Sequence, residues 1–342
     1  MSDLLLRDFW PESNLVVPEH DIRRAKFPAV DAHNHLGKLR GAWAADPGQA
    51  VAVMDECNIR CVINLDGRWG DALLESLDRY ERAYPGRFAT LLNIDFSRAS
   101  EPGFGAWAAD QVEEGVRRGA RGIKIFKRLG LHWKGPDGRL LRADDALLKP
   151  IWERAARLRV PVLFHIADPK AFFRPLGPTN ERWEELQEHP DWHFYGPQFP
   201  SFEQLMEQQR NLLAANPDTL FVSAHVASCS EDLAFVSSLL DEYANLNVDI
   251  SARLAELGRQ PYSARAFFLK YPDRILFGLD EAVKVDNYAP YFRFLETADE
   301  YFPYKYGERP DQGRWNVYGI YLPDAVLEQV YHANAERLFP SL

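Results

Sequence analysis

The sequence has 342 residues, 46% apolar, 26% charged and 13% aromatic, the balance of a chain with a large core rather than of a disordered, collagenous or coiled-coil one. Lys and Arg number 40 against 50 Asp and Glu, a formal charge of −10, so the overall field repels phosphate backbones and anionic membranes and neither is expected as a partner. Cys57, Cys61 and Cys229 are too few, and odd in number, for a disulfide framework. The amino-terminal run Leu4-Leu5-Leu6 falls short of the ~7–15 apolar residues of a secretory signal. No uncharged apolar stretch reaches the ~20 residues of a membrane span. A cytoplasmic protein is expected.

In chain order, after an extension over 1–26, strands are predicted over 27–36, 60–66, 88–96, 120–129, 161–167, 220–227, 246–253 and 274–281. Helices are predicted near 47–57, 69–84, 105–118, 144–158, 201–215, 231–243, 261–270 and 323–338, several opened by Asp, Ser or Pro. Strict alternation argues for βαβ units and a parallel sheet. Eight strand–helix pairs are what a closed (β/α)₈ TIM barrel needs. A doubly wound sheet is the lesser reading, because the first strand ends in Asp-Ala-His-Asn-His and not in a Gly-rich dinucleotide turn. The whole chain, 1–342, reads as a single barrel domain.

Two connections exceed ordinary loop length. One, 168–200, follows strand five, and the other, 282–322, follows strand eight; both are rich in Phe, Trp and Tyr. In a barrel they rise from the face that carries the active site. Their aromatic residues either pack the insertions themselves or form lids around a pocket. A shorter insertion, 130–142, holds the turn sequence Gly-Pro-Asp-Gly.

His33 and His35 end strand one at i and i+2, so their rings can leave the strand on one face and meet one ion. Alone the pair would equally suit two hydrogen-bonded histidines. However, His165 ends strand five, His225 ends strand six and Asp280 ends strand eight, each after an apolar run. Four imidazoles and a carboxylate would then surround one mouth, and a divalent ion would satisfy them together. Lys124, inside the apolar run Gly-Ile-Lys-Ile-Phe, is a carbamylated bridge between two metals, a holder of a substrate anion, or a snorkelling side chain. Lys127 and Arg128 stand just beyond it as candidates for a substrate carboxylate. Arg253 ends strand seven as a carboxylate clamp or a structural ion pair. Asp66 and Asp95 are either acceptors for the histidines or loop caps. Cys229 reads as a buried thiol, and His132, His189, His193 and His332 receive no role.

Asp-Ala-His-Asn-His, the Gly-Ile-Lys of strand four, His165, His225 and Arg-Ile-Leu-Phe-Gly-Leu-Asp280 together resemble the amidohydrolase superfamily, and within it the amidohydrolase-related group of metal-dependent hydrolases and decarboxylases. The resemblance spans about 27–339. It implies that His33, His35, His165 and Asp280 bind one divalent ion, Zn²⁺ or else Mn²⁺, with His225 a second-metal ligand or a catalytic group, and two ions if Lys124 is carbamylated. Many relatives follow the strand-six histidine with Gly, where this chain has His225-Val-Ala-Ser. The first expectation is a hydrolase of a small amide, lactone or ester: the ion activates water, Asp280 shuttles the proton and His225 stabilises the oxyanion. The alternative is non-oxidative decarboxylation of a small carboxylic acid, against which stands His33, where several decarboxylases of the group carry Glu. A small-molecule substrate is implied either way, and a homo-oligomer is compatible with both.

Overall fold

A computed structural model describes residues 3–37, 46–306, 310–339 and 342. Residues 1–2 of the expected extension and 307–309 of the second insertion lie outside these. The strands are β1 (Ala29–Asn34), β2 (Ile59–Asn64), β3 (Phe88–Thr90), β4 (Leu92–Asn93), β5 (Ile123–Ile125), β6 (Val162–Phe164), β7 (Phe221–Ser223), β8 (Leu246–Asp249) and β9 (Ile275–Leu276). β3 and β4 are two halves of one barrel strand interrupted at Leu91, the first paired with β2 and the second with β5. All neighbours are parallel. The ring closes because Ala32 N–H donates to the Phe277 carbonyl at 2.9 Å and Asp280 N–H to the His33 carbonyl at 2.8 Å. The expected eight-stranded α/β barrel is therefore the fold.

Local chemistry sets the helix ends. Asp46 caps Pro47–Cys57 by accepting from Gly48 N–H, and Asn58 ends that helix at φ 62°. Ser201 and Gln204 form a reciprocal capping box at the start of Phe202–Ala215. Helix Phe104–Arg118 packs so closely beside the next βα unit that a Cβ on Gly105 would come within 2.0 Å of the Leu147 carbonyl.

Two apolar layers result. One joins the strands to the surrounding helices. The other, including Val30, Cys61, Ile63, Leu163, Val222 and Leu276, belongs mainly to the strands and their ends and fills the barrel, with Ala335, Leu338 and Phe339 joining it from the carboxyl-terminal helix and its cap. Lys124 is in register with Leu163, and Leu163 with Val222. The period of two thus carries Lys124 inward with them, where it is 1% exposed.

The first insertion folds into short turns and the helix Trp183–Glu188. The second holds the helix Val285–Glu296 and the antiparallel strands β10 (Phe302–Pro303) and β11 (Asn316–Val317). Arg314 joins the two insertions through paired 2.7 Å bonds to Glu184. Among the described residues no helix is long and apolar enough to cross a membrane.

Candidate metal centre

His33, His35, His225, Asp249 and Asp280 are all buried at the carboxyl ends of β1, β7, β8 and β9. His33 Nδ1 donates to Asp249 Oδ2 at 2.9 Å, and His35 Nδ1 to Asp66 Oδ1 at 2.7 Å. His225 Nδ1 lies 2.8 Å from the Ser251 carbonyl, which can only accept. All three rings thus carry the proton on Nδ1 and expose a lone pair at Nε2. Those Nε2 atoms converge on Asp280, His35 at 3.6 Å, His225 at 3.7 Å and His33 at 3.9 Å.

Burial drives the His33 and His225 imidazoles well below their ordinary pKa, assisted by nearby cationic groups. They are neutral at pH 7, the form that binds metal. His33, His35 and Asp280 offer ligand atoms within 4.8 Å of one another. Two imidazoles with carboxylate-fixed tautomers plus a carboxylate suit a divalent ion of the zinc or manganese kind. Asp249 and His225 also lie within that distance of His33, but the first is accounted for by its hydrogen bond to His33.

The other predicted residues are distributed around this set. His165 stands against the His225 ring, centroids 4.4 Å apart; its Nε2 faces the Ala167 carbonyl at 3.0 Å and Asp168 at 3.3 Å, outside the cluster formed by the other two ligand histidines. Burial lowers its pKa to about 4 although Asp168 opposes this. Lys124 Nζ is 3.5 Å from His33 Nε2. Lys127 is engaged by Asp168 and stands over the rings of Trp192 and Phe194. Burial works to raise the Asp168 carboxyl, but Lys127 and His165 outweigh it and hold it below the ordinary range. Arg128 is exposed over Trp133. Arg253 is buried, donates to the Ala252 carbonyl at 2.7 Å, and has no carboxylate within ion-pair distance among the described residues.

The two aspartates read alike in the sequence part company. Asp66 accepts from His35, whereas Asp95 caps a turn by accepting from Ser97 N and Oγ. Cys229 is buried and its thiol is pushed up to about 12, chiefly by desolvation, which leaves it un-ionised and unsuited to nucleophilic attack. Several aromatic residues of the insertions pack against one another or against the barrel wall: Phe173 against Phe194 and against Phe202 of the following helix, Tyr288 against Phe292 and against Phe277 just beyond β9. Tyr291 and Tyr304 instead line a small open cleft with Ala252, Leu254 and Glu281.

Sequence reasoning missed three features. Asp249 is the hydrogen-bond partner of His33, and its signal was a carboxylate inside the apolar run 246–253, the same signal that drew attention to Lys124. Asp31 lies fully buried behind the site, accepting from Asn34, Tyr288, His33 N and Leu279 N, with its carboxyl raised to about 6 by desolvation. Finally, His225, Val226, Ala227 and Ser228 are all left-handed, at φ 59°, 56°, 55° and 56°. Each costs ~1–2 kcal/mol relative to the right-handed form, and for β-branched Val226 the conformation is a true outlier.

The sequence model of the amidohydrolase family matches residues 71–341, most of the chain, including His165, His225 and Asp280. The chain belongs to the amidohydrolase family. It is a metal-dependent enzyme of that superfamily, and His33 and His35 precede the matched segment. No curated protein matches it. Among solved structures, this amidohydrolase resembles a 2,6-dihydroxybenzoate decarboxylase from Rhizobium, 16% identical with a TM-score of 0.58 over 92% of this chain and 98% of that one. A dihydroxybenzoic acid decarboxylase from Polaromonas, with bound manganese and the inhibitor 2-nitroresorcinol, gives 15%, 0.59, 92% and 97%. A 4-oxalomesaconate hydratase from Rhodopseudomonas palustris gives 14%, 0.52, 91% and 95%. At these identities the likeness concerns the fold.

Proposed function

We propose that this amidohydrolase removes carbon dioxide, without oxidation, from a small carboxylic acid. The observation that carries the acidic substrate is Arg253. A buried guanidinium is costly without an anionic partner; among the described residues this one donates to its neighbour's carbonyl and has no carboxylate within ion-pair distance, and it stands close enough to the site for its charge to lower the His225 pKa. A substrate carboxylate supplies the missing partner. Buried Lys124, beside His33, adds a second cationic donor. Phe126, stacked on His35 at 5.7 Å, offers an aromatic surface, and solved decarboxylases of dihydroxybenzoates share the fold.

A divalent ion, zinc or manganese, would be held by His33, His35 and Asp280, with His165 the fourth residue implied by the family pattern, and would polarise a substrate oxygen and neutralise developing charge there. One ion suffices for this set; a second would call for a carbamylated Lys124. Arg253 and Lys124 orient the acid, with Lys127 and Arg128 farther out on the rim. Asp280 or His225 Nε2, neither carrying a proton at rest, first takes one up from solvent and then delivers it to the carbon that the carboxylate leaves; the electron pair of the broken carbon–carbon bond forms the new carbon–hydrogen bond and carbon dioxide departs. The insertions 168–200 and 282–322 act as walls that keep water from this step.

Hydrolysis of a small amide, lactone or ester is the second reading, favoured by His33 at a position where several decarboxylases of the group carry Glu. The two are separated by incubating the metal-loaded enzyme with panels of hydroxybenzoic and related acids, lactones, esters and amides while recording bicarbonate and pH. Bicarbonate with loss of substrate acid is expected. Acid release without bicarbonate would replace the proposal by the hydrolytic one.

A further inference from the structure

Asp249 ends β8 fully buried, and neither reading of the reaction gives it a part. Its two oxygens serve two different elements. Oδ2 accepts from His33 Nδ1 on β1 at 2.9 Å, while Oδ1 accepts from the backbone N–H of His225 at 3.0 Å, and from Ser251 N and Oγ at 3.1 and 2.5 Å. The His225 N–H opens the left-handed turn 225–228, which contains no glycine. Elsewhere that turn is held by Gln209 Nε2 on the Ala227 carbonyl at 3.2 Å and by Ser228 Oγ accepting from Ala167 N at 3.3 Å. Ser251, two residues beyond Asp249, closes the arrangement by accepting His225 Nδ1 on its carbonyl.

We propose that Asp249 is a positioning residue that couples the ligand His33 to the strained turn carrying His225, holding both Nε2 atoms toward Asp280. The proposal rests on the reading of His33 and His225 given above. A carboxylate is needed because it accepts at both oxygens, and both donors, a ring N–H and a backbone N–H, arrive from different elements. An amide accepts at one oxygen only. In Asp249→Asn its NH₂ must therefore confront one of the two donors.

The test uses the full chain and Zn²⁺ as probe. Ring ¹⁵N spectra of metal-free wild type should show His33 and His225 protonated on Nδ1. In Asp249→Asn, chelator competition should give a Zn²⁺ affinity lower by ~10–100-fold, and amides of 225–228 should exchange roughly fivefold faster or more, the effect of one lost hydrogen bond. Adding Val226→Gly, which adopts the left-handed form without steric strain, should restore exchange protection but not Zn²⁺ affinity. That split separates positioning from a general loss of stability, which would move both together. A wild-type spectrum with the His33 proton on Nε2 overturns the proposal whether or not the variant folds, as does an Asp249→Asn protein with wild-type affinity and exchange. If His33→Ala itself keeps wild-type Zn²⁺ affinity, the reading of the metal site fails instead.

Discussion

Asp280 sits at φ 56°, a region that Asn and Asp tolerate better than other non-glycine residues. Asp280→Asn therefore preserves backbone, size and one coordinating oxygen while removing the ability to carry a proton. With three imidazole Nε2 atoms 3.6–3.9 Å away, the carboxylate is placed both to hold an ion and to exchange protons. The variant is expected to keep most of its metal and its melting temperature yet lose ~10²-fold or more in turnover on the acid found by the bicarbonate assay. His165→Ala, by contrast, removes a residue that the family pattern gives to the metal, and should lower metal content first. Metal content, melting temperature and kcat on the same preparations check both, and turnover of Asp280→Asn within a few-fold of wild type would pass the proton role to His225.

The insertions show how buried charge can fix one element against another. Arg182, 1% exposed, is bonded to Glu185 in its own insertion and to Glu256 in the helix Leu254–Gly258 after β8, and Trp315 of the second insertion is stacked on Arg259 at 3.9 Å. Breaking a buried pair strands the other charge, so Glu256→Ala should destabilise by about 3–5 kcal/mol in denaturant unfolding. Replacing Arg182, Glu185 and Glu256 together by Met, Leu and Leu should recover most of that; a triple variant as unstable as the single one would refute the account. None of these partners was legible in the sequence, where 168–200 and 282–322 read only as long aromatic loops. Helix Val285–Glu296 escaped notice because it contains Pro290 and is buried on nearly every side from Tyr288 to Leu295, which erases the amphipathic period. The eight strands were legible as short apolar runs buried on both faces and the eight following helices from their one-sided apolar period, and the strand-end residues His33, His35, His225 and Asp280 followed from them. Asp249 and Asp66 were harder to place, since a hydrogen-bond acceptor is defined by a partner that can lie 216 residues away in the chain.

At the scale of the whole molecule, the polar ring at the carboxyl end of the barrel is a part of the interior that apolar packing does not stabilise. Below it Val30, Ile63, Leu163 and Val222 fill the barrel; above it neutral imidazoles, Asp280, Asp249 and Lys124 share a buried layer. An ion that binds there only in the folded state stabilises the entire chain by mass action, ~2.7 kcal/mol at a free concentration one hundred times the dissociation constant. Unfolding entropy grows with chain length at ~2.1 cal/mol/K per residue, so for 342 residues that stabilisation corresponds to a rise in melting temperature of about 4 °C. Chelator-treated protein is accordingly expected to melt several degrees lower, and titration with Zn²⁺ or Mn²⁺ should restore the difference in a concentration-dependent way. His33→Ala, which removes a proposed ligand from a strand that also closes the barrel, should melt lower at the outset and respond little to added metal. The response, rather than the absolute melting temperature, isolates the ion from the packing. A wild-type melting temperature indifferent to chelator and metal, or a His33→Ala response equal to that of wild type, would show that these residues are a structural polar core and not a metal centre.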